Sequence, residues 1–88
     1  MRVNVTVTIH SIDALSVAQL GQLTMLLTLT FRTGVAINTD KRVATVSLGT
    51  NDIQSVFRTV ESLTTHLAVS YHPNLWTSVS VDVEEEQS

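Results

Sequence analysis

The side chains with chemistry to offer are few and scattered. His10, His66 and His72 are the three imidazoles, and no two of them stand at the i, i+4 spacing that puts a pair of metal ligands on one helix face. Asp13, Asp40 and Asp52 each fall where a turn or a helix start is expected. There a carboxylate oxygen accepts backbone N–H groups and meets the positive end of a helix, so capping accounts for all three. Gly21, Gly34 and Gly49 are too dispersed to form a phosphate-cradling loop. With no cysteine the chain has neither a thiolate metal ligand nor a thiol nucleophile. Nothing selects one Ser, His and Asp from the rest as a relay. The expectation is a protein that is not an enzyme, with no catalytic residue, no metal and no cofactor.

Trp76 is the side chain that stands apart. Leu75, Val79, Val81 and Val83 share one parity of an alternating run, so Trp76, Ser78, Ser80 and Asp82 point to the other side. An exposed Trp is a common binding anchor. The competing expectation is that it covers the loop around Tyr71 and Pro73.

The elements that must carry these residues follow from the hydrophobic spacing. Val3, Val5, Val7 and Ile9 alternate with polar residues as Val79, Val81 and Val83 do, so a half-buried strand is expected at each place. Between them, Ser16 and Gln19 have capping-box spacing, and Val17, Leu20, Leu23, Leu27 and Phe31 recur at three and four residues, predicting a helix from about Asp13 to Arg32 that ends at Gly34. The alternation of Leu27, Leu29 and Phe31 with Thr28, Thr30 and Arg32 is the strand-like competitor. Gly34 to Asn38 and Arg42 to Leu48 read as a hairpin, with Gly49 closing it. Asn51 and Gln54 are spaced for a second capping box, heading a helix whose core stripe is Ile53, Val56, Phe57, Val60, Leu63 and Leu67. Leu75 begins the last strand.

Strand, helix, strand, strand, helix, strand predicts an α+β fold. Its expected form is a ferredoxin-like βαββαβ sandwich, a four-stranded antiparallel sheet with two helices on one face. A single domain over residues 1–83 is expected, followed by an acidic tail, 84–88. The two alternating runs then become neighbours, and the uncovered sheet face carries Arg2, Asn4, Thr6, Thr8 and His10, then Val43, Thr45 and Ser47, then Trp76, Ser78, Ser80 and Asp82. This Thr/Ser face lacks the aromatic residues on which an RNA recognition module stacks bases.

Eight acidic residues face five basic ones, and three of the acids are Glu84, Glu85 and Glu86, so the remaining body has five of each. A neutral body without a Lys/Arg cluster disfavours nucleic acid as a partner. The three glutamates are either solvated or a phosphate mimic that occupies a partner's basic groove. The first residues lack a basic stretch followed by an apolar one, and Leu20 to Phe31 is too short and too broken by polar residues to span a bilayer. A cytoplasmic protein without membrane contact is expected.

Val5 to Ile9, Ser11 to Ala14 and Thr33-Gly34-Val35-Ala36-Ile37-Asn38 together look like the strand, turn and second strand of an ACT-type regulatory domain. That resemblance implies an amino acid bound near the first turn at a dimer interface. The turn here, Asp13-Ala14-Leu15, has no glycine.

Two functions are therefore expected to compete. The first is a non-enzymatic protein-interaction module, homodimeric through its open face or through the short edge strand, of the kind a virus or mobile element uses as an accessory or inhibitor protein. Its partner-binding residues are those of the open sheet face and the three glutamates. The alternative is an ACT-like domain that binds a small metabolite where two copies meet.

Overall fold

Ser16 decides where the first long helix begins. Its Oγ accepts from the Gln19 N–H at 3.2 Å, and Gln19 Oε1 accepts from the Ser16 N–H at 3.0 Å, which closes the expected capping box. In the computed structural model, which describes residues 2–83, helix α1 accordingly runs Val17–Phe31. The expectation of one helix from Asp13 is corrected. Ile12–Ala14 is a separate 3-10 turn, and Leu15, extended at φ −93° and ψ 146°, breaks the chain from α1. Thr24 and Thr28 do not turn the segment into a strand; within the helix each donates its hydroxyl to the carbonyl four residues back, at 2.9 and 2.8 Å. Arg32, not Gly34, takes the left-handed conformation that ends the helix, at φ 55°.

Helix α2 spans Ile53–Ser70. Its cap is Asp52, whose Oδ1 accepts from the Ser55 N–H at 3.2 Å. Thr50 Oγ1 in turn accepts from the Asp52 N–H at 2.9 Å. The expected Asn51/Gln54 box does not form: the cap falls one residue later, at Asp52, which accepts from Ser55. At the other end Tyr71 and His72 both donate to the Leu67 carbonyl at 3.0 Å.

The strands are β1 (Val3–His10), β2 (Val35–Asn38), β3 (Val43–Thr50) and β4 (Trp76–Val83). They form one sheet in the order β2-β3-β1-β4, every pair antiparallel. The molecule is thus an α+β fold with a four-stranded antiparallel sheet and two helices. β1 sits at the centre, with Val3 opposite Val83 and Thr50, and His10 opposite Trp76 and Val43. Gly49 does not punctuate the hairpin. It lies inside β3, opposite Asn4.

One sheet face carries the core. Val5, Val7 and Ile9 of β1 and Ala44 and Val46 of β3 are buried together with Leu23 and Leu27 of α1 and Val56, Val60, Leu63 and Leu67 of α2. Both helices therefore cover the same side. Two residues expected in the core stripes, Val17 and Phe57, are exposed instead. At the 100° per residue of an α-helix, each stands roughly 90–100° from the middle of its helix's buried arc, where the sheet no longer reaches. Val81 and Val83 are corrected likewise: they keep the expected parity, but on edge strand β4 they remain exposed. Helix α2 is tied to β4 by a hydrogen bond between the Thr64 and Thr77 hydroxyls at 2.6 Å, nearer the start of the strand. Leu75, expected to open this strand, is buried just before it.

No helix among the described residues is long and apolar enough to cross a membrane.

Candidate functional site

The sheet face opposite the helices is built in rows that the register fixes. Thr6 stands between Ser47 and Ser80, Thr8 between Thr45 and Ser78, and His10 between Val43 and Trp76, while Asn4 faces Gly49 and Asp82. Thr6 and Ser47 hydroxyls meet at 3.4 Å, and Thr45 Oγ1 donates to the Ala36 carbonyl at 3.5 Å. Arg2 lies over Gly49, where a Cβ would stand only 2.7 Å from Arg2 Nε. The missing side chain at 49 makes room for that guanidinium.

The end row holds the feature that the spacing did not reveal. His10 and Trp76 stack with ring centroids 3.7 Å apart and planes within 7°, and His10 Nε2 shares a 2.7 Å hydrogen bond with Ser78 Oγ. Trp76 is on the expected face, and its ring partner is His10. Tyr71 packs edge-on against His66 instead, with centroids 6.0 Å apart. Held between a stack and a strand, the indole is still 52% exposed.

Beside that stack the chain leaves a pocket of about 310 Å³, lined by His10, Ser11, Asp13, Arg42, Asn74 and Trp76 among others. Ser11 and Arg42 both adopt left-handed backbone, at φ 68° and 59°, a conformation that costs an ordinary side chain about 1–3 kcal/mol. The two are tied through one bond, the Ile12 N–H donating to the Arg42 carbonyl at 3.2 Å. Arg42 also approaches Asp13 at 3.9 Å, with both side chains open to solvent, and a pair so exposed adds little stability.

A second depression, about 530 Å³, lies between the helices, with Leu26 and Thr30 on α1 and Arg58, Ser62 and His66 on α2. Among the described residues no three His, Asp or Glu side chains gather as a metal set. His72 is a loop residue whose Nδ1 accepts from the Asn74 N–H at 3.1 Å.

The sheet thus brings Asn4, Thr6, Thr8, His10, Thr45, Trp76, Ser78, Ser80 and Asp82 onto one surface, and Arg2, which precedes β1, joins them through its side chain over Gly49. Glu84, Glu85 and Glu86 lie outside the described residues. Comparisons with protein-family models, with curated proteins and with solved structures each return no match.

Proposed function

We propose that this chain is a non-enzymatic protein-interaction module on a ferredoxin-like βαββαβ sandwich, which self-associates and offers its open sheet face to a partner protein. The stacked, half-exposed Trp76 carries the reading. An aromatic anchor already fixed by His10 loses little rotamer freedom on docking. Around it the face is mostly Thr and Ser, so contact requires few charges to be stripped of water. A small module of this kind suits an accessory or inhibitor protein of a virus or mobile element, acting in the cytoplasm.

The test uses three baits in an extract of the native host: wild type, Trp76→Ala and Thr6→Lys. A protein retained by wild type and lost by both variants is the expected result, with urea unfolding confirming that both variants are folded. Identical retention by all three would remove the sheet face as the working surface.

The second reading, an ACT-like domain for a small metabolite, has the pocket beside the first turn in its favour. Its volume of about 310 Å³ is at the lower end of ligand pockets. Thermal shifts against amino acids and nucleotides separate the two, since only a metabolite site predicts stabilisation by a small molecule.

A further inference from the structure

Helix α1 has no charged side chain in its fifteen residues. Its inward side is accounted for by buried Leu23 and Leu27, with Leu20, Leu26 and Phe31 packed around them. Its outward side is not. Val17 is 91% exposed, Met25 66% and Leu29 71%, and Ala18, Gly21 and Gln22 are exposed beside them. Ala18, Gln22, Met25 and Leu29 follow at spacings of four, three and four, the seam on which one helix meets another. The outward side is uncharged and mostly apolar, with exposed Gln22 and Thr28 as its polar members.

Gly21 supplies the second observation. Within a helix, glycine costs about 0.8–1.0 kcal/mol relative to alanine, and the fold does not require it. No glycine has positive φ, and a Cβ at position 21 would meet nothing within 4 Å. What a bare backbone on an exposed apolar seam permits is close approach from outside.

The seam is also lopsided in a way that selects its occupant. Its first half holds the small Ala18 and Gly21 beside Gln22, and its second half is large, Met25 and Leu29. Turned antiparallel about a two-fold axis between Gln22 and Met25, the seam fits itself: Leu29 comes over Ala18, and Met25 comes beside Gln22 into the gap that Gly21 leaves. In a parallel pairing Met25 would meet Met25 and Gly21 would face Gly21. The antiparallel arrangement also opposes the two helix dipoles, and it brings no charged side chain into the contact.

We infer that a second copy of this chain docks on the outer side of α1, the two helices crossing antiparallel with Met25 and Leu29 of each seated over Gly21 and Ala18 of the other. The contact is isologous, as a two-fold dimer requires. It rests on the self-association proposed above and assigns it to α1, which leaves the sheet face free. A crossing of helices about 22 Å long is a small contact beside the ~800 Å² per partner of a standard stable interface, so the dimer is expected to exchange reversibly with monomer.

Sedimentation velocity over a concentration series tests this, with the full chain as wild type, Met25→Lys, Gly21→Ala and Trp76→Ala, each also unfolded in urea while dilute. Wild type is expected to show reversible monomer and dimer. Met25→Lys should weaken the dimer about tenfold or more with an unchanged urea midpoint. Gly21→Ala is the sharper variant, because it should raise the urea midpoint and weaken the dimer at the same time. A dimer indifferent to both α1 variants overturns the inference. A dimer broken only by Trp76→Ala overturns it too, while leaving self-association in place on the sheet. Wild type that stays monomeric throughout removes both.

Discussion

The two helices do the same work for the sheet and present opposite surfaces to water. α2 buries Val56, Val60, Leu63 and Leu67 and turns Gln54, Arg58, Glu61 and Thr65 outward, all four exposed. α1 buries Leu23 and Leu27, and at the same four, three, four spacing turns Ala18, Gln22, Met25 and Leu29 outward. The fold needs only the inward half of either pattern. The outward half of α2 keeps a surface helix in water, whereas that of α1 offers water no charge at all, and the docking of a second copy proposed above is the use we assign to it.

Five substitutions, in three groups, break or sharpen that contrast. The largest effect is expected inward, where the helices are alike: Leu27→Ala and Leu63→Ala should each cost about 2–5 kcal/mol in urea unfolding. A cost below about 1 kcal/mol for Leu27→Ala would mean that α1 does not anchor the core as α2 does. Next come the caps. Ser16→Ala and Asp52→Ala should each cost about 1 kcal/mol, and hydrogen exchange should show the loss confined to the first turns of α1 and α2 respectively. The smallest effect is expected outward. Leu29→Lys, measured in dilute solution, should change the unfolding free energy by no more than about 0.5 kcal/mol. A larger loss would show that Leu29 is packed within its own chain, and the contrast would fall.

Much of the fold was legible in the residues because alternation and helical spacing are direct imprints of which side meets the core. The Ser16–Gln19 box marked where α1 begins, but helix or strand over Thr24 to Arg32 stayed open in the residues, because strand-like alternation and helical spacing both run through them; the fold makes the segment helix to Phe31. What was not legible has physical reasons. Spacing marks the direction of a stripe and not its width, so Val17 and Phe57, at the margins of their arcs, look like core residues. Alternation at Val81 and Val83 names a face but not whether a helix covers it. The His10–Trp76 stack requires the register of β1 on β4, and no period-two pattern contains a register. The left-handed residues Ser11, Arg32 and Arg42 carry no signal at all, since the conformation favours glycine and none of the three is one.

The place of β1 also sets how the chain must fold. Both neighbours of this central strand lie far along the chain from it, with Val3 meeting Thr50 on one side and Val83 on the other. Only the β2–β3 hairpin, with Val35 opposite Val46, closes locally. A loop of such length must be ordered before its contacts return any free energy, which slows folding relative to a helical protein of this size. During synthesis β1 therefore waits with one side unpaired until β4 emerges, and its valines are exposed to any other chain in the same state.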